Sequence, residues 1–200
     1  MTIGSDREGP LDLAVRVAAE LDALGIHYVV GGSIAAAFVG EPRSTNDVDI
    51  AADLQPEQLD RLMLKLRTDF YVPESLARAA IESSSSFNLI SNDSALKVDL
   101  FVLGDGVLDR NQLARRRRIQ VAEDPPTTLW VTSPEDVVLR KLDWFRLGGG
   151  TSDRQWRDIA GVLKIQGDAL DHTYLATTAA KVGLTALLER AVAEALPKDG

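Results

Sequence analysis

The sequence predicts an α/β fold of the mixed, α+β kind: a mixed β-sheet flanked by helices over residues 1–132, then a helical region over 133–200. Three observations predict it. Short apolar or alternating runs suited to strands occur only in the first two-thirds of the chain. Helical stripes alternate with them there. Beyond Gly148-Gly149-Gly150, a run suited to a hinge, only helical spacings recur.

The elements follow in order. Leu11 to Leu24 carries Ala14, Val17, Leu21 and Leu24 on one helical stripe, with Gly25 as its stop. His27 to Val30 is a short strand running into Gly31-Gly32-Ser33, and Ile34 to Val39 is a small-residue helix ended by Gly40. Glu41 to Asn46 is a loop, and Asp47 to Ala51 a strand. Pro56 to Thr68 has Leu59, Leu62, Met63 and Leu66 at helical spacing, and Pro73 to Ile81 reads as a helix. Phe87 to Ser91 and Ala95 to Leu103 form a strand pair around the turn Asn92-Asp93-Ser94. Val107 to Arg116 is helical, and Ile119 to Ala122 and Thr128 to Val131 are short strands. Ser133, Pro134 and Asp136 give an N-cap, a first-turn proline and a capping box for a helix that runs to Leu147. Asp153 to Ile165, Leu170 to Ala180 and Leu184 to Leu196 complete the helical third.

Composition narrows the chemistry. A chain of 200 residues can bury about 70% of its unfolded surface, so it needs no staples. With 45% hydrophobic and 26% charged residues it is globular rather than disordered. It has no cysteine, which excludes disulfides, thiolate metal sites and cysteine nucleophiles. It has only two histidines, His27 and His172. The net charge of −8 disfavours a broadly basic nucleic-acid surface and leaves Arg115–Arg118 as the one basic patch for RNA, or a solvated helix end. Asp6, Arg7 and Glu8 stand where a signal peptide needs an apolar run. The most apolar stretch, 26–40, is too short to span a bilayer. The expectation is a cytoplasmic protein with no membrane partner.

One run carries most of the chemistry: Gly31-Gly32-Ser33, then Arg43-Ser-Thr45-Asn-Asp47-Val48-Asp49-Ile50. Strand side chains alternate, so Asp47 and Asp49 share a face opposite Val48 and Ile50. Lys97-Val98-Asp99-Leu100-Phe101 repeats the pattern, with Asp99 on the face of Lys97 and Phe101. Neighbouring strands would converge three carboxylates, which repel one another and call for a hard divalent cation such as Mg²⁺. A Gly-Gly-Ser turn before a helix suits phosphate, through backbone N–H groups and a hydroxyl. Arg43 suits either a phosphate or a surface acid. Thr45 either orients Asp47 or caps the loop.

This pattern resembles the nucleotidyltransferase superfamily with the polymerase-β-type fold. Within it, the chain is most similar to the AbiEii group of toxin nucleotidyltransferases, well over residues 26–103 and more loosely over 130–165. The resemblance implies a nucleotidyltransferase-type mixed sheet and transfer of a nucleotide from an NTP to a hydroxyl. It implies triphosphate at Gly32 and Ser33 (with Gly31 beside them), Mg²⁺ or Mn²⁺ at Asp47 and Asp49, and Asp99 as third carboxylate. The acceptor would be RNA, tRNA or a protein, with a cognate antitoxin as partner. An antibiotic-type adenylyltransferase and a non-catalytic nucleotide- or partner-binding module are the alternatives.

Lys141 stands among Val137, Val138, Trp144 and Phe145 on an apolar stripe. An amine seldom stays buried there without a partner, and the family carries a functional lysine in a comparable helix. Its other reading is a snorkelling stem that covers the core. Family members also carry an acid early in the next helix, matched by Asp158. The position three residues on, often a further acid, is Gly161 here. Arg154 and Asp158 also have the spacing of a solvated i,i+4 ion pair.

Overall fold

The structure, a computed structural model, describes residues 8–94 and 96–196. Asp6, Arg7, the expected strand start at Ala95 and the chain ends of the two expected regions lie outside them. Along the chain run α1 (Pro10–Ala23), β1 (Tyr28–Val30), α2 (Gly32–Val39), β2 (Asp47–Ala52), α3 (Pro56–Leu66), β3 (Phe70–Tyr71), α4 (Glu74–Ser83) and β4 (Ser86–Ser91). Then come β5 (Lys97–Val102), α5 (Val107–Ala114), β6 (Arg117–Glu123), β7 (Pro126–Val131), α6 (Pro134–Leu147), α7 (Asp153–Gln166), α8 (His172–Val182) and α9 (Thr185–Ala195).

The strands form one mixed sheet in the order β3-β4-β5-β2-β1-β7-β6. Its centre is β2, antiparallel to β1 and parallel to β5. The alternation read from the sequence holds. Val48, Ile50, Val98 and Leu100 are fully buried on one face, under α1 and α4. Each such side chain stabilises by about 1.5–3 kcal/mol relative to exposure. Asp47, Asp49, Lys97 and Asp99 take the opposite face at intermediate burial.

Helix α2 leaves β1 and packs on β2, with α6 and α7 against it. Ser133 caps α6 by accepting from the Asp136 N–H at 3.2 Å. The expected capping box is only half made, because the Ser133 hydroxyl donates to Asp136 Oδ2 at 2.7 Å. No helix of the described residues is long and apolar enough to cross a membrane.

Two expectations are corrected, and one strand had none. Phe70–Tyr71 is a strand, held by antiparallel pairing with β4, which two residues cannot signal alone. Helix α2 starts at Gly32 rather than Ile34, so the glycine turn is its first turn. The Arg115–Arg118 run is not a helix end: α5 stops at Ala114, and Arg117 and Arg118 begin β6. Cross-strand pairing with β7 overrides the helical stripe there.

Candidate active site

Register brings the carboxylates together. In the parallel β2–β5 pair Asp49 stands opposite Asp99 and Asp47 opposite Lys97. Asp47, Asp49 and Asp99 border a cleft of about 490 Å³, together with Gly31, Gly32 and Ser33. The Gly31 N–H donates to the Asp49 carbonyl at 2.9 Å and ties the helix start to the acidic strand. Gly32 has φ +55, and a Cβ there would stand 1.7 Å from Asp49 Oδ2. Only glycine lets the turn lie against this carboxylate.

The acids differ in their surroundings. Asp99 accepts from Lys97 Nζ at 2.9 Å through both oxygens. Asp47 accepts from Arg154 Nη2 at 3.1 Å, and its backbone N–H donates to Thr45 Oγ1 at 3.1 Å. Thr45 therefore fixes the entry to β2. Among the described residues, Asp49 has charges for neighbours, the acids Asp99 and Asp47 and the cations Lys141 and Lys97. Burial first, then the Asp99 charge, holds its carboxyl above the usual carboxylate range.

Behind the turn lies a second network. Asp158 accepts from Arg43 Nε and Nη2 at 2.7 and 2.8 Å, a bidentate pair. It also accepts from Lys141 Nζ at 2.7 Å. Lys141 donates as well to Gln155 Oε1 at 3.1 Å. Arg43 reaches on to donate to Ser33 Oγ. Burial raises the Asp158 carboxyl, but the hydrogen bonds from Arg43 and Lys141 outweigh it and hold the group below its usual range. Burial also holds the Lys141 ammonium below its usual range, against the pull of Asp158. Arg43 thus holds an acid and a cleft hydroxyl together. Asp158 is a buried partner of two cations, not one end of an i,i+4 pair with Arg154.

The donor set is chemically that of a hard cation: three carboxylates on adjacent strands, with neither sulfur nor imidazole. As they stand, no group of three or more His, Asp or Glu side chains among the described residues is gathered closely enough to hold an ion. Two of the three acids are paired with cations, Asp99 with Lys97 and Asp47 with Arg154. By donor type the residues suit such an ion, which would compete with those two cations for Asp47 and Asp99.

Other residues in and beside the cleft carry weaker sequence signals. Lys97 was legible through the alternation, and Arg154 through its place one turn before Asp158. Phe101, Trp144 and Gln112 also border the cleft. Nothing local marked them, since each also reads as packing. Gly161, where an acid was expected, packs on Glu41, 3.3 Å from the position of a Cβ. Trp156 is half-buried and packs on Phe145, with ring centroids 4.9 Å apart.

No protein-family model matches the chain, and no curated protein matches its sequence. Solved structures do share its fold. An antigenic nucleotidyltransferase-like protein from Paracoccidioides brasiliensis is similar with a TM-score of 0.55 at 18% identity, over 93% of each chain. The antibiotic-resistance factor ANT(2'')-Ia in solution is similar with a TM-score of 0.52 at 15% identity, over 88% of this chain and 92% of that one. The same factor in complex with adenylyl-2''-tobramycin gives 0.52 at 14% identity, over 89% and 96%. At these identities the likeness is one of fold.

Proposed function

We propose that this chain is a nucleotidyltransferase that moves a nucleotide from an NTP to an acceptor hydroxyl. The observation that carries the reading is the register of Asp49 on Asp99, with Asp47 on the same face, beside the glycine turn that opens α2. Residues 1–132 would form the transferase core and 133–200 a helical subdomain that closes the cleft.

The unpaired N–H groups of the first turn of α2, with Ser33 Oγ, suit the triphosphate, and the helix N-terminus favours its charge. Arg43, Arg154 and Lys141 supply further positive charge. Asp158 acts on the substrate only through Arg43 and Lys141, which it positions. Asp47, Asp49 and Asp99 would hold Mg²⁺ or Mn²⁺, which supplies charge neutralisation at the reacting phosphate. The acceptor oxygen bonds to the α-phosphorus, the α–β phosphoanhydride breaks, pyrophosphate leaves and the hydroxyl proton passes to Asp99.

The resemblance to AbiEii-type toxins supports an RNA, tRNA or protein acceptor and a cognate antitoxin. The fold likeness to ANT(2'')-Ia supports a second reading, adenylyl transfer to a small aminoglycoside-like molecule. The test is a screen of four α-labelled NTPs with Mg²⁺ or Mn²⁺ against total RNA, protein extract and aminoglycosides, with Asp49→Ala as control. Label transfer that the control loses is the expected result. Absence of both transfer and pyrophosphate release would overturn the reading and leave a binding module.

A further inference from the structure

The cleft has two unlike ends along the strand direction. The α2 turn lies level with Asp49, through the Gly31–Asp49 hydrogen bond. One pleat repeat beyond Asp99, about 7 Å along β5, stands Phe101, opposite Ala51. Trp144, one turn after Lys141 on α6, meets Phe101 edge-to-face with centroids 5.7 Å apart and planes at 72°. Trp144 is 49% exposed. The Phe101 contact fixes the plane of a half-open indole at the end of the cleft away from the phosphate-binding turn.

A second observation comes from α5. Gln112 borders the same cleft, is 3% exposed, and its Nε2 has no hydrogen-bond partner among the described residues. A buried amide left unpaired is costly unless a ligand completes it. The charges near Trp144 do not suit a polyamine. Asp143 is held by Arg146 at 2.6 Å, and Asp109 by Arg140.

Resting on the transferase reading, we infer that Phe101, Trp144 and Gln112 form a nucleobase subsite: the Trp144 indole, braced by Phe101, stacks the base and the Gln112 amide hydrogen-bonds its edge. Stacking tolerates every base, because every base has a π-face. The amide does not, because base edges differ in donors and acceptors. The base comes from the NTP or from the terminal nucleotide of an acceptor strand.

Calorimetric titration of the full chain in Mg²⁺ tests this, using each NTP, inorganic tripolyphosphate and a short oligoribonucleotide. Trp144→Ala is expected to weaken NTP binding about 10-fold. Tripolyphosphate binding should not change, and Trp144→Phe should restore NTP binding. Gln112→Leu is expected to level the differences among the four NTPs. If Trp144→Ala weakens only the oligoribonucleotide, the subsite stands and serves the acceptor base. If NTPs and tripolyphosphate bind alike and neither variant changes anything, the subsite is overturned while the transferase reading stands. If neither NTP nor tripolyphosphate binds, both are overturned. Thermal melts of each variant confirm that it is folded.

Discussion

Lys141 Nζ lies 2.7 Å from Asp158 Oδ2, and the two side chains are only 6% and 5% exposed. They come from successive helices, α6 and α7, and Arg43 closes the other side of the carboxylate. Removing the acid leaves two cations facing one another in a dry place. Asp158→Ala should therefore lower unfolding stability by about 3–5 kcal/mol. Lys141→Met, which leaves Asp158 on Arg43, should cost clearly less. Urea denaturation of both variants checks the order.

The same pair sets an acid limit. The Asp158 carboxyl titrates below its unfolded value, near 4. Its contribution is complete above that value and is lost as the pH falls through the lower folded one. Unfolding free energy measured from pH 6 down to 2 should fall less steeply in Asp158→Asn than in the wild type. Parallel curves would refute the assignment.

Gly32 and Gly25 both adopt positive φ, at +55 and +68, but only Gly32 has a neighbour in the way. Gly25→Ala should cost about 1–2 kcal/mol, the backbone term alone. Gly32→Ala should cost more, because Asp49 must move, and should abolish NTP binding. Melting temperatures and nucleotide titration of the two variants separate backbone strain from the collision.

Asp49 is half-buried beside two like charges. Asp49→Asn should reduce transfer by more than the about 10–100-fold typical of changes to groups supporting a metal ligand. Without divalent metal, its melting temperature should equal or exceed that of the wild type, since a repulsion is removed. A large loss of stability would show that Asp49 is structural.

Arg115 bonds Glu135 at 3.3 Å, lies 3.5 Å from Asp136 and stacks 3.8 Å over the Tyr174 ring. Both acids are almost fully buried. Arg115→Ala should destabilise the fold by about 2 kcal/mol, a buried-pair cost discounted for its partial exposure. The exposed Arg118→Ala should leave the melting temperature within about 2 °C, a surface change within ±0.5 kcal/mol. If the two match, Arg115 does not hold these helices.

Residue alternation made the acid face legible: Asp47, Asp49 and Asp99 against Val48, Ile50 and Val98 follow from a period of two. The Gly-Gly-Ser turn, the Ser133 cap and the helical stripes were legible for the same reason, since each rule spans only a few residues. Phe70–Tyr71 and the Arg117 strand start were not, because their conformation comes from partner strands.

The sequence by itself determined the mixed fold and the face on which the acids stand. Only the tertiary structure decided that β2 lies beside β5, placing Asp49 opposite Asp99. It alone decided that Asp158 reaches Arg43 across 115 residues of chain. It also decided that Lys97 and Arg154 hold two of the acids, and that Phe101 and Trp144 meet at the cleft's end. Local rules act through neighbouring dihedrals and carry no information about which distant segments share a core. Those pairings follow from burying the apolar face of the sheet and of every helix at once, a condition on the whole chain.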